Sequence, residues 1–281
     1  MAPVKTVLIL SSFVATSRVG GFAQALSLQG QGIEAVVAPT VLFGRHPGLG
    51  PPGGGAVGPE TFGGVLEGIE ATGLFSTVDA VITGYFALPG QVEIAAGVLE
   101  RVRVANPKAL LVVDPILGDA DTGLYVKPEV ASAIRARLTG LADLITPNAF
   151  ELGWLAGVRT PGSAQAALAL ARAFAADVLV TSLPGGPDEI AALHAGERAS
   201  WLCAHARFET APRGTGDLLT ALFVAAVLQG LDTPNALARA IGGVAEAVEA
   251  AVAQGLGNLP VAALRERLTH PVLPVRLETL A

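Results

Sequence analysis

The chain has 281 residues, with 18 lysines and arginines against 24 aspartates and glutamates, a formal net charge of −6. It is 51% hydrophobic and only 15% charged, which excludes disorder driven by low hydrophobicity and high charge. The acidic balance argues against a nucleic-acid binder, which presents a basic face, and none of the three lysines (Lys5, Lys108, Lys127) follows a glycine, so a P-loop is excluded.

In chain order, short apolar runs alternate with longer helical ones. Residues 4–10 predict a first strand, 18–31 a helix and 34–39 a second strand. Residues 44–58 hold seven glycines and three prolines, so they are expected to form a mobile loop with no regular element. A helix over 60–72, a strand over 79–83 and a helix over 89–105 follow. Next come a strand over 109–113, a helix over 127–138, a short strand over 143–145, a helix over 163–175 and a strand over 177–181. Residues 190–194 and 200–204 predict a hairpin around Gly196, and helices over 215–229, 235–253 and 260–269 close the order.

Strand–helix alternation with continuously apolar strands implies an α/β fold: a doubly wound, mostly parallel sheet with helices on both faces. No composition break divides the chain, so one domain over 1–281 is expected. The apolar stretches 7–10 and 221–228 fall far short of the ~18–20 residues a membrane span needs, so no membrane role is expected. The first also lacks the length of a signal peptide. A lone cysteine, Cys203, cannot form an internal disulfide and fits a reducing, cytoplasmic setting.

In open α/β sheets ligands bind beyond the carboxyl ends of the strands. Here those ends read Ser11-Ser12, Pro39-Thr40, Thr83-Gly84-Tyr85, Asp114-Pro-Ile-Leu-Gly-Asp119, Thr146-Pro-Asn-Ala-Phe-Glu151 and Thr181-Ser182. A serine or threonine after one strand is often only a helix cap; six polar strand ends that can converge point to a site. The most informative stretch is Gly214-Thr215-Gly216-Asp217, directly before the apolar run 218–228. Its glycines let backbone approach a ligand, and free amides at a helix start cradle an anion. Asp217 there is either a cap and dipole partner or a general base beside an anion hole, the arrangement that phosphoryl transfer to an alcohol needs.

On these residues the chain resembles the ribokinase-like superfamily and, within it, the pyridoxal kinases. Gly214–Asp217 resembles the superfamily's anion-hole-and-base motif. Asp114–Asp119 and Thr146–Leu152 resemble the vitamin B6 kinase forms of its metal and nucleotide motifs. Ser12, Val19-Gly20, Leu28-Gln29, Pro39-Thr40-Val41 with Phe43 and His46, and Thr83-Gly84-Tyr85 continue the pattern, so that the likeness spans residues 4 to about 255.

The resemblance implies an ATP-dependent kinase that phosphorylates the 5′-hydroxyl of pyridoxal, pyridoxine or pyridoxamine. Asp217 would be its base, and the amides of Gly214, Thr215 and Gly216 would hold the phosphoryl group. Ser12, Thr40, His46 and Tyr85 would surround the vitamer. Asp114, Asp119, Tyr125, Asn148, Glu151, Thr181, Ser182 and Thr215 would serve the nucleotide. Asp114 and Glu151 would organise Mg²⁺, and Asp114, Thr146 and Thr181 a monovalent cation, K⁺. Residues 44–58 would cover the site, and a homodimer would be the assembly.

Ser17, Gly21 and Gly44-Arg45 depart from the family pattern, and Arg213 is an unusual charge that reads either as a phosphate clamp or as an exposed turn residue. The nearest alternative is a hydroxymethylpyrimidine (phosphate) kinase of the same fold, then a sugar or nucleoside kinase. A catalytically weak B6-binding regulatory protein is a third class, and an oxidoreductase is disfavoured because no glycine fingerprint follows the first strand. Cys203, Trp154 and Trp201 read as packing residues, and His194, His205 and His270 as surface or capping histidines.

Overall fold

In the first strand, β1 (Thr6–Val14), alternate side chains serve two different cores. Val7 and Ile9 pack into one apolar cluster, Leu8 and Leu10 into another on the opposite face, all fully buried. That double burial is why the run is uninterrupted by polar residues until Ser11. The computed structural model describes residues 3–280. After β1 come α1 (Gly20–Gly30), β2 (Glu34–Phe43), β3 (Gly54–Ala56), α2 (Pro59–Ala71), β4 (Ala80–Thr83), α3 (Pro89–Ala105) and β5 (Leu110–Val113). A small hairpin, β6 (Gly118–Asp119) and β7 (Gly123–Leu124), precedes α4 (Pro128–Arg137), β8 (Leu144–Ile145), α5 (Ala149–Ala156) and α6 (Ala164–Ala171). The chain continues through β9 (Asp177–Pro184), β10 (Glu189–Ala195), β11 (Ser200–Ala206), α7 (Thr215–Leu228), α8 (Thr233–Ala253), α9 (Arg265–Thr269) and β12 (Arg276–Leu280).

The main sheet has ten strands in the order β12-β11-β10-β9-β8-β5-β4-β1-β2-β3. Pairings from β2 across to β9 are parallel, while β3 and the β9–β12 meander are antiparallel. Helices α1, α7 and α8 cover one face; α2, α3 and α4 cover the other. Smaller helices α5 and α6 close the β9–β11 end. The expected doubly wound, mostly parallel α/β sheet is present. The chain leaves β1 toward β2 on one side and returns to β4 on the other, which opens a crevice at the carboxyl ends of β1 and β4.

Several expectations are corrected. Residues 44–58 are not devoid of regular structure: they hold a 3₁₀ turn at Pro47–Leu49 and the edge strand β3. Gly54, at φ +80°, makes that strand possible, because a β-carbon there would overlap the Leu42 carbonyl. Strands β1 and β2 run several residues past their expected ends, since Phe13 and Val14 pair with Leu42 and Phe43 beyond a bulge after Ser11. Ser11, Ser12 and Thr40 therefore lie inside strands. Helix α9 is confined to Arg265–Thr269, preceded by a turn.

His194 is not a surface residue. It is 3% exposed on β10, 3.5 Å from Asp177 and tilted against Phe223, and burial lowers its pKa. Cys203 is buried as expected, with its thiol pushed up to about 12 by burial. Among the described residues, no helix is long and apolar enough to cross a membrane.

Candidate active site

Helix α7 begins where the chemistry is expected. Gly214, its N-cap, adopts φ +94°, and a β-carbon there would overlap the Arg18 carbonyl oxygen. Only glycine allows this turn, which leaves the amides of Thr215 and Gly216 without helical partners at the positive end of the helix dipole. One residue on, the buried Asp217 has an Oδ1 with no hydrogen-bond partner. Burial pushes its pKa up to about 6, partly offset by the facing Gly20 amide.

Gly20, at φ +59°, starts α1, and a β-carbon on it would overlap Ser12 Oγ. The β1 hydroxyl is thus brought right up to the backbone that faces Asp217. Ser11 Oγ sits in the same way against Gly84 and accepts the Tyr85 N–H at 3.2 Å.

A buried carboxylate cluster lies deeper. Asp114 closes β5, and its pKa is raised well above the usual range by burial, then by the charges of Asp217 and Glu151. Thr220 donates to Asp114 Oδ2 at 3.2 Å and is 3.0 Å from Thr146 Oγ1. Glu151 caps α5 reciprocally with Asn148: its Oε2 accepts the Asn148 N–H at 2.9 Å, and Asn148 Oδ1 accepts the Glu151 N–H at 3.0 Å. Glu151 Oε1 accepts the Leu117 N–H at 2.7 Å. Burial still drives its pKa up to about 7. Asn148 Nδ2 donates to the Gly118 carbonyl at 2.7 Å, which holds the β6–β7 hairpin against α5. In that hairpin Tyr125 Oη contacts Asp119 Oδ2, while Asp119 Oδ1 accepts the Thr122 N–H at 2.7 Å.

Two non-glycine residues in the left-handed region, Ile116 (φ 41°) and Ser182 (φ 60°), lie within the Asp114–Asp119 and Thr181-Ser182 stretches. Such strain persists where the surroundings over-determine it, commonly at functional sites. Thr181, Ser182, Thr215 and Gly216 line a cavity of about 390 Å³ together with the apolar Val244 and Val248 from α8. A cavity lined by both polar and apolar side chains beside a helix N-terminus suits a nucleotide.

Other expected site residues sit differently. Thr40 has its hydroxyl committed to the Tyr85 carbonyl at 2.6 Å, so it shapes the crevice through that bond. Tyr85 is half-buried, which raises its phenol pKa. His46 caps the 3₁₀ turn of its own loop by accepting the Gly48 N–H at Nδ1, 3.0 Å. Burial, followed by the Arg213 charge, lowers its pKa.

Thr220 and Gln91 take part without having been singled out. Thr220 lies three residues after Asp217, a spacing that puts both on one face of a helix, and this signal was present in the sequence. Gln91 Nε2 donates to the Thr40 and Val57 carbonyls, both at 2.7 Å, and ties the base of the 44–58 loop to α3; its position carries no local mark.

The donor chemistry suits hard cations: three buried carboxylates, with the Asp217 charge adding to the raised pKa of Asp114 and Glu151, and hydroxyls of Thr146 and Thr220 beside them. Among the described residues no three histidine, cysteine or acidic side chains form a direct cage, which is compatible with metal held largely through water.

Comparison with known proteins gives the same picture. Residues 67–262 match the family model described as phosphomethylpyrimidine kinase. A pyridoxal kinase of Leifsonia xyli is 32% identical over 272 residues, covering 94% of this chain and 96% of that protein. One from Rubrobacter xylanophilus is 35% identical over 277 residues, 96% of this chain and 95% of that protein. Among solved structures, the pyridoxal kinase from Leishmania donovani in complex with ADP and pyridoxamine superposes with a TM-score of 0.91 at 28% identity, covering 99% of this chain and 100% of that one. With near-complete coverage at this identity, and with the ribokinase-like sheet carrying the motifs in order, the chain belongs to the pyridoxal kinase family.

Proposed function

We propose that this protein transfers the γ-phosphoryl group of ATP to the 5′-hydroxyl of a B6 vitamer, giving the 5′-phosphate and ADP. The observation that carries the reading is Asp217: a buried carboxylate with one oxygen unpartnered, in the first turn of a helix whose preceding amides are free. Asp217 takes the proton of the acceptor hydroxyl as its oxygen bonds to phosphorus and the bond to ADP breaks. The amides of Gly214–Gly216 hold the charge on the transferring group. Ser12 and Tyr85 bound the vitamer crevice, with Thr40 fixing Tyr85 from behind. Thr181 and Ser182 lead the nucleotide into the α8-lined cavity.

Asp114 and Glu151 would hold Mg²⁺, largely through water, and Asp114, Thr146 and Thr181 would hold K⁺. These cations supply charge neutralisation at the phosphates. Asp119 and Tyr125 form the flap over the nucleotide, residues 44–58 cover the vitamer, and a cytoplasmic homodimer is the proposed form.

The supporting relatives include proteins named pyridoxal kinase and, in Bordetella avium, pyridoxine/pyridoxal/pyridoxamine kinase. A second reading, phosphorylation of a hydroxymethylpyrimidine, is favoured by the description of the matching family model. A coupled ADP assay with Mg-ATP and K⁺ over the three vitamers and hydroxymethylpyrimidine decides between them. Turnover of the pyrimidine alone would overturn the first reading.

A further inference from the structure

The 44–58 segment is tied down at its stems by bonds of its own. Strand β3 pairs with β2, the Gly44 N–H donates to the Pro52 carbonyl at 3.1 Å, and Gln91 holds Val57. Arg45 Nε reaches the Pro51 carbonyl at 2.8 Å, also within the loop. At the tip, Pro47–Leu49, the His46 side chain caps the turn, the Leu49 N–H donates to the His46 carbonyl at 2.9 Å, and Arg213 approaches from outside the loop. A β-carbon at Gly48 would lie 2.9 Å from Arg213 Nη2 and 3.0 Å from its Cζ, so the guanidinium occupies the space a side chain at 48 would fill. Among the described residues Arg213 makes neither an ion pair nor a hydrogen bond, which leaves its donors free. Its backbone direction is fixed by the left-handed Gly214 that opens the anion hole.

We propose that Arg213 is a positioning residue that couples the anion hole to the covering loop, holding the loop tip over the acceptor through Gly48. It joins, through one side chain, the backbone that receives the phosphoryl group and the segment that retains the alcohol. The proposal rests on the kinase reading above. Gly48 is the complement, because a β-carbon there crowds both the guanidinium and His46 Nδ1, the latter at 3.0 Å. Burial, and after it the Arg213 charge, lowers the His46 pKa, which favours the ring form whose Nδ1 accepts the Gly48 N–H.

The test is a cycle of Arg213→Ala, Gly48→Ala and the double variant in steady-state kinetics, with thermal melting as a check on folding. Each single change is expected to raise KM for the vitamer about tenfold, with a smaller loss in kcat and an unchanged KM for ATP. The double variant should be no worse than either single one. Additive losses, or equal losses for both substrates, would overturn the coupling. A wild-type protein that turns over no vitamer would instead remove the kinase reading on which it stands.

Discussion

As the proposed base, Asp217 carries two demands that pull against each other. A base needs its carboxylate ionised, yet burial favours the proton, and the result is a pKa of about 6. Asp217→Asn keeps the shape and removes the base, so kcat should fall by about two to four orders of magnitude while calorimetry still shows ATP binding. The wild-type rate should also fall as pH drops through about 6, toward tenfold per unit, because protonation silences the base. A flat profile from pH 5 to 8 would contradict that role. At this scale the sequence was legible where polar residues sit in contiguous motifs that the fold brings together, as in Asp114–Asp119 and Gly214–Asp217. It was less so where a role depends on a partner far along the chain. The bond from the Thr40 hydroxyl to the Tyr85 carbonyl has no local sign, and His194 looks like a surface residue until β10 is placed against Phe223.

Among the elements, α7 depends most on a single residue. Gly214→Ala forces a β-carbon into a left-handed position and against the Arg18 carbonyl. The expected cost is about 1–3 kcal/mol, read as a fall of several degrees in melting temperature together with a large loss of kcat as the amides turn away. Helix and strand types were readable because apolar periodicity is strong in segments buried on one or both faces. Boundaries were not readable where pairing partners decide them: β1 and β2 extend one another past Ser11, and β3 exists only because glycines let an edge strand form beside Leu42. The hairpin β6–β7 and helix α5 are short and stabilised by Glu151 and Asn148 across the chain, so periodicity carries little trace of them.

Across the whole molecule, the carboxylate cluster links the site to stability. Glu151 and Asp217 have folded-state pKa values of about 7 and 6, against ordinary values of 4.5 and 3.8. Raised acids hold protons more tightly when folded, so their contribution is complete below about pH 4 and is lost as pH rises through 6 to 7. It is on the order of 3 kcal/mol for each group. The cation-free protein should therefore show a melting temperature that declines between pH 4.5 and 7, and Mg²⁺ with K⁺ should recover much of the loss. No decline, or no recovery with the cations, would separate the cluster from metal binding.

Helix α7 is buried for most of its length, from Asp217 through Ala226, between the sheet and α8. A helix clamped on all sides cannot swing, so the proposed anion hole is a fixed platform, and on this reading turnover is timed by the parts that face solvent: the 44–58 segment and the β6–β7 hairpin. Solvent friction acts on such motions and not on bond making. Added viscogen should consequently slow kcat nearly in proportion to viscosity, and a sluggish variant in which chemistry limits the rate, such as Asp217→Asn, should lose that dependence.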